Sequence, residues 1–234
     1  MRAVLLDLDD TLSDHTHSSR AALLEVCRAN PGLAARPFAT LLADHATILE
    51  VVHLEMLRGA LSMEAARAER FRRLFAQHGC DTDPMAAAAC YREAYQRSRQ
   101  AVPGALALLE QLRERVAVAV VTNNTQAEQE EKLRYLGMRH LVDVLVVSET
   151  VGVAKPDPAI FAAALRQLGC VAEDAVMLGD SWAADVIGAR AAGVRAVWLN
   201  RHGFTCPDPA LAHELVSLEP TTVVVELLLG QRAA

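Results

Sequence analysis

The chain has 234 residues, of which 52% are hydrophobic and 22% charged, a composition that folds into one or two globular domains and excludes a disordered chain. The formal net charge is −6 and no long run of Lys or Arg occurs, which excludes a nucleic-acid-binding patch; the densest basic group, Arg67, Arg70, Arg72 and Arg73, is diluted by Glu64 and Glu69 and reads as a solvated helix face. No stretch approaches the ~18 uninterrupted apolar residues of a membrane span, so no membrane partner is expected.

The first strand is expected at about residues 2–8, AVLLDLDDTL running from it into three aspartates. This start reads as a strand of the fold rather than as a signal peptide. From about Ser18 to Ser98 no good strand occurs. Phe38, Leu41, Leu42, His45, Ile48, Leu49, Val52 and Met56 recur at helical spacing, and Asn30-Pro31-Gly32, Gly59, Gly79 and Asp83-Pro84 punctuate the region into about four helices. The five cysteines, Cys27, Cys80, Cys90, Cys170 and Cys206, are scattered and form no CxxC pair. They read as reduced thiols of a cytoplasmic protein, and they suggest no zinc site.

After Pro103-Gly104 helices and apolar strands alternate. A helix at about 104–114 leads to VAVAVVTNN, one at 126–136 to DVLVVSE, one at 158–168 to AVMLGD and one at 183–192 to RAVWLN. Continuous apolar strands between helices indicate a parallel sheet buried on both faces. ELVSL reads as a short extra strand, and EPTTVVVELLLG as a helix beginning at Pro220. The expected architecture is α/β: a Rossmann-like parallel sheet from residues 1–13 and 98–234, with an all-helical domain at 14–97 inserted after the first strand.

Ligands of such sheets bind beyond the carboxyl ends of the strands. Those ends carry DLDDT (7–11), TNN (122–124), SE (148–149) followed by Lys155, and GDS (179–181). Asp7 and Asp9 face the same way if the backbone there is extended. Asp180 ends another strand, and Asp185 follows one helical turn later. Carboxylates converging on one edge need a cation, and hard oxygen donors without a His or Cys cluster point to Mg²⁺. Thr122, nearby backbone N–H groups and the Lys155 ammonium suit a phosphate. A phosphoryl group held this way can approach an aspartate that acts as nucleophile.

Taken together, DLDDT, VTNN, AKPDP and GDSWAADVIGARAAG resemble, in order, the motifs of the haloacid dehalogenase-like (HAD) hydrolase superfamily. The match spans most of residues 4–200, and the helical insert resembles the cap of the phosphoglycolate-phosphatase-like branch. The resemblance implies a phosphatase acting on a small-molecule phosphate monoester through an aspartyl phosphate. Asp7 would be the nucleophile and Asp9 the acid–base residue. Asp7, the Asp9 backbone carbonyl and Asp180 would hold Mg²⁺, with Asp185 acting through a bound water or through Lys155. Thr122 and Lys155 would grip the phosphate, Asn123 adding its backbone N–H and side chain.

The superfamily's dehalogenases lack the second motif aspartate and need no metal, so Asp9 speaks against that reaction. A cap without lysine speaks against Schiff-base phosphonatase chemistry. A sugar phosphomutase shares the same aspartate pair and stays open as an alternative. A receiver-type or phosphate-binding protein is the non-enzymatic alternative, although receivers are shorter and lack the insert. Asp10 reads as a loop residue, and Asp14, His15 and His17 as either hinge or substrate contacts. The core motifs look like those of pyrimidine 5′-nucleotidases and N-acylneuraminate-9-phosphatases. Nucleoside monophosphates, phosphoglycolate and sugar phosphates are the candidate substrates, and the protein is expected to be a monomer or homodimer.

Overall fold

The structure, a computed structural model, describes residues 2–230. It divides into two compact units, one made of Met1–His15 with Gln100–Ala234 and the other of Thr16–Arg99.

The first unit is built on a six-stranded, all-parallel sheet. Its strands are β1 (Ala3–Leu6), β2 (Ala117–Thr122), β3 (Val144–Val147), β4 (Ala175–Gly179), β5 (Arg195–Leu199) and β6 (Ala212–Leu215), in the order β3-β2-β1-β4-β5-β6. β1 is central because its four residues are apolar and fully buried, so both of its faces must be covered. Alternation along it sends Val4 and Leu6 into one core and Ala3 and Leu5 into the other. The first core is closed by Leu108 and Leu112 of helix α6 (Ala105–Arg113), Leu133 of α7 (Gln126–Tyr135) and Val225 and Leu228 of α11 (Thr221–Leu229). A single turn, α8 (Ser148–Val151), follows β3, and Ile160, Phe161 and Ala164 of α9 (Pro158–Leu168), with Val186 and Ala189, close the second. Each fully buried leucine contributes roughly 1.5–3 kcal/mol, so these faces hold the sheet rigid beneath its carboxyl edge.

The second unit consists of α1 (His15–Ala29, its first residue belonging to the sheet unit), the single turn α2 (Pro31–Ala34), α3 (Phe38–Leu57), α4 (Met63–His78) and α5 (Pro84–Arg97). Ser62 caps α4 by accepting a bond from the Ala65 N–H, and Gly79 ends it at φ 67°, where a side chain would be strained. Leu41, His45, Ile48 and Val52 of α3 face inward against Phe71 and Tyr91, the rings of His45 and Tyr91 lying 5.3 Å apart. Arg73 reaches Glu55 at 2.7 Å and Arg72 pairs with Glu69 at 2.6 Å, as a solvated face allows. Arg70 departs from that expectation: its guanidinium stacks 4.2 Å above the Tyr91 ring, because a planar cation gains by covering an aromatic face. All five cysteines are free thiols. No helix among the described residues is long and apolar enough to cross a membrane.

Two elements differ from the expected ones. The last strand covers Ala212–Leu215 rather than ELVSL, because its register on β5 pairs Ala196 with Ala212 and Leu199 with Leu215. Val216 is then exposed, while Leu218 turns back into the core. The helix expected at 183–192 opens as a π-helical turn (Trp182–Ile187) and becomes α-helical only at α10 (Gly188–Ala191). Such wide turns concentrate at functional sites.

The close approach of that helix to the loop carrying Lys155 depends on Gly188. A Cβ there would lie 2.7 Å from the Phe161 ring and 2.9 Å from the Pro156 Cα. Gly188→Val is expected to lower stability by about 1–3 kcal/mol through overpacking, read as a lower urea midpoint with an unchanged slope.

Candidate active site

The parallel register delivers three chain ends side by side. Leu6 lies opposite Val120 on one flank and Leu178 on the other, so the residues following β1, β2 and β4 emerge at one edge. Asp7 is fixed there by its backbone N–H, which donates to the Leu178 carbonyl at 3.0 Å. Beyond it the chain stops being a strand. Asp10 adopts a left-handed backbone at φ 62°, which an aspartate tolerates better than most residues, and its N–H donates to the Ser13 carbonyl at 2.7 Å. Strand alternation therefore ends before Asp9, and the two aspartates meet different cations.

Asp7 is buried and accepts a 2.6 Å bond from the Lys155 Nζ on its Oδ1. The same Nζ donates to Asp185 Oδ1 at 2.6 Å, and Asp185 Oδ2 accepts from the Ser181 N–H at 2.9 Å. Asp185 is thus a buried member of the cluster. Its approach requires Gly179, where a Cβ would fall 2.3 Å from the Asp185 carboxyl. The cap position of the following helix falls one residue after Asp180. Ser181 holds that position, accepting from the Ala184 N–H, and the Asp180 carbonyl is fixed by the Trp198 indole N–H at 2.7 Å. One oxygen each from Asp7, Asp180 and Asp185 lie within 4.8 Å of one another.

Thr122 ends β2 with its side chain buried. Thr125 occupies the cap position of α7 without a side-chain bond, and Asn124 Oδ1 accepts from the Thr125 N–H at 2.8 Å. Asn123 differs from the expectation that its side chain is available to a phosphate. Its amide clasps the Lys155 peptide, Nδ2 donating to the carbonyl at 3.0 Å and Oδ1 accepting from the N–H at 2.7 Å. The side chain of Asn123 therefore orients the loop that carries the lysine.

Asp9 is held by residues that the motifs did not indicate. Its Oδ1 accepts from the Lys132 Nζ at 2.5 Å, and its Oδ2 from Gln129 Nε2 at 3.0 Å. The same Gln129 nitrogen lies 2.7 Å from Thr122 Oγ1. Two signals in the sequence could have found them. Gln129, Lys132, Leu133 and Leu136 share one helical face, so two polar residues sit where core residues belong. Lys132 and Lys155 are also the only two lysines among 23 basic residues. Asp14 proves to be an anchor: its Oδ2 accepts from Arg201 at 3.3 Å and from Gln100 at 3.2 Å, while Arg201 also bonds the Asp10 carbonyl.

The charges sort the carboxyls. Burial pushes Asp7 up to about 7, the Lys155 ammonium opposing and Asp185 reinforcing the rise. Burial and then the charges of Asp7, Asp185 and Asp10 push Asp180 up to about 9. Burial also acts upward on Asp9, but Lys132, His15 and the hydrogen bonds from Lys132 and Gln129 outweigh it and hold that carboxyl well below the ordinary range. Lys155 loses solvation by burial, yet Asp185 and Asp7 more than compensate and keep it protonated.

Residues 1–193 match the family model described as haloacid dehalogenase-like hydrolase. A phosphoserine phosphatase of Thermus thermophilus is 35% identical, the match covering 92% of this chain and 94% of the relative. A glyceraldehyde 3-phosphate phosphatase of Methanopyrus kandleri is 30% identical over 89% and 88% of the two chains. Among solved structures, the HAD-hydrolase YfnB of Bacillus subtilis, described as bound to magnesium, has the same fold with a TM-score of 0.78 at 24% identity, covering 96% of this chain and 98% of that one. The chain belongs to the haloacid dehalogenase-like hydrolase family.

Proposed function

We propose that the chain is a Mg²⁺-dependent phosphatase that hydrolyses a small-molecule phosphate monoester through an aspartyl phosphate on Asp7. The observation that carries this reading is the Asp7 carboxylate, engaged by Lys155 on one oxygen, with a second carboxylate, Asp9, kept apart on its own cation. The relatives named for phosphoserine and glyceraldehyde 3-phosphate support a small phosphorylated metabolite as substrate.

The donors fit a hard divalent cation. They are all oxygens, they converge, and burial has weakened the acidity of two of the three, Asp7 and Asp180. Mg²⁺ held by Asp7, Asp180 and Asp185 would offset the negative charge of an incoming phosphoryl group. Lys155 and the Thr122 hydroxyl bind its oxygens. Asp9, ionised at rest, first takes up the proton carried by a monoanionic phosphate ester; Asp7 Oδ2 then forms a bond to phosphorus as the bond to the leaving oxygen breaks, and Asp9 passes that proton to the leaving oxygen. In the second half-reaction Asp9 recovers a proton from water, the water oxygen bonds to phosphorus and the Asp7–phosphate bond breaks. The ionised resting state of Asp9 suits this second step.

Phosphate release should be seen from a panel that includes phosphoserine, glyceraldehyde 3-phosphate and nucleoside monophosphates. EDTA should abolish it and Mg²⁺ restore it. Asp7→Asn should lower kcat about 1000-fold or more with circular dichroism unchanged. Full activity in EDTA, or a tenth of wild-type rate in Asp7→Asn, would refute the reading.

The raised carboxyls generate a second expectation. In the folded, metal-free chain Asp7 and Asp180 keep protons that unfolded carboxyls release near 3.8. Their stabilising contribution is therefore full below about pH 4 and is lost as pH rises through about 7 and 9. Asp9 contributes in the opposite sense, its share lost only as pH falls below the ordinary carboxyl range. The thermal midpoint of chelator-treated protein should thus fall between about pH 5 and pH 9, and Asp180→Asn should flatten the fall. Mg²⁺ should raise the midpoint more at about pH 8 than at about pH 5, because it competes with those protons. Equal shifts at both pH values would count against metal binding by these carboxyls.

A further inference from the structure

We infer that Lys132 and Gln129 are positioning residues of the reaction: together they hold Asp9 and the Thr122 hydroxyl as one unit, so that the acid–base group and the phosphate grip keep a fixed mutual geometry. The inference rests on the phosphatase reading above and adds to it two residues outside the four motifs.

The hydrogen bonds dictate the arrangement. An ionised carboxylate only accepts, so Gln129 must turn its amide nitrogen, not its oxygen, toward Asp9 Oδ2. The second N–H of that nitrogen then points to Thr122 Oγ1, which becomes the acceptor. The hydrogen of the Thr122 hydroxyl is thereby freed for another acceptor, as a phosphate oxygen requires. Lys132 takes the remaining Asp9 oxygen. Both residues are buried one helical turn apart on α7, whose Leu133 is fully buried in the core beside β1, so the pair is carried on a rigid element.

Packing for stability does not account for these residues. Gln129 leaves its Oε1 buried without a partner among the described residues, which a side chain selected for stability alone would avoid. A buried ion pair is seldom a net gain over apolar residues of the same volume. The chain otherwise uses arginine for its long cations, yet both of its lysines lie against aspartates of the site. An ammonium is a compact point charge and a guanidinium a planar fork, so the two are not interchangeable beside Asp9.

The test is a mutant cycle with Asp9, read as phosphate release from the best ester of the panel. Lys132→Met should lower kcat ~10–100-fold with KM within about threefold, because it acts through the acid–base residue alone. Gln129→Leu should lower kcat and also raise KM, since it releases the phosphate-binding hydroxyl as well. In an Asp9→Asn background, Lys132→Met should add less than about a twofold loss, whereas a merely structural lysine would cost the same factor in both backgrounds. Lys132→Arg covers the case in which the methionine variant does not fold. It should lose activity in the wild-type background and lose none further in the Asp9→Asn background. Equal losses in the two backgrounds, or wild-type kcat in folded Lys132→Met, would overturn this inference and leave the phosphatase reading standing. A wild type that releases phosphate from no ester would overturn both.

Discussion

The site is organised by the repulsion of four carboxylates, Asp7, Asp9, Asp180 and Asp185, gathered at one edge of a sheet with two ammonium groups among them. In a partly dry environment each close pair of like charges costs several kcal/mol. The two lysines divide the cluster unequally. Lys155 bridges Asp7 and Asp185, Lys132 is given to Asp9, and at Asp180 the negative charges of Asp7, Asp185 and Asp10 outweigh the pull of Lys155. Burial raises Asp7 to about 7 and, with the neighbouring negative charges, Asp180 to about 9, while Lys132, His15 and Gln129 outweigh burial at Asp9 and keep it ionised, so the carboxyls are driven apart in acidity. Environments that separate the acidities of neighbouring carboxyls are how one site assigns different roles to the same functional group.

This crowding can exist only on a stiff support. Asp7 and Asp180 follow β1 and β4 and Thr122 closes β2, so the β1 register to its two neighbours sets their spacing before any side chain is placed. The remaining groups arrive on loops that are clamped to those ends. Asn123 fastens the Lys155 peptide, the missing Cβ of Gly179 admits Asp185, and Gly188 lets the π-helical turn and its continuation sit against Phe161 and Pro156. With its peptide held in this way, the Lys155 ammonium bonds both Asp7 and Asp185 at 2.6 Å.

What is legible in the sequence follows from the same physics. Asp7, Thr122, Lys155 and Asp180 stand out because each interrupts or follows an apolar run that a core would otherwise continue, and the helical insert is legible from the α3 stripe. Where a polar residue lies inside an apparently solvated helix, the signal is weaker. α7 carries so many charges that Lys132 and Gln129 look like surface residues, although their spacing to Leu133 and Leu136 places them on the inner face. The same ambiguity hides the burial of Asp185. Asn123 resembles a ligand group because its backbone position is right; that its amide is consumed by a peptide 32 residues away is a tertiary fact. The last strand falls at Ala212–Leu215 because a four-residue edge strand takes its register from β5 and not from its own hydrophobicity.

The distribution of cations is the step that connects fold to chemistry. A residue that only neutralised charge could be arginine, which this chain supplies freely on its surface and in the stack of Arg70 on Tyr91. Beside Asp7 and Asp9 the requirement is narrower. A cation there must be compact enough to share a carboxylate edge with other groups, and must leave the other oxygen to a further partner. Lys155 meets the first need at Asp7, where it bonds Oδ1. At Asp9 both oxygens are taken, one by Lys132 and one by Gln129, so that side chain has a fixed aim. Asp7 thus engages a lysine through Oδ1, whereas Asp9 is oriented through both oxygens, by a lysine and a glutamine, and an ammonium and a guanidinium are not interchangeable at such contacts.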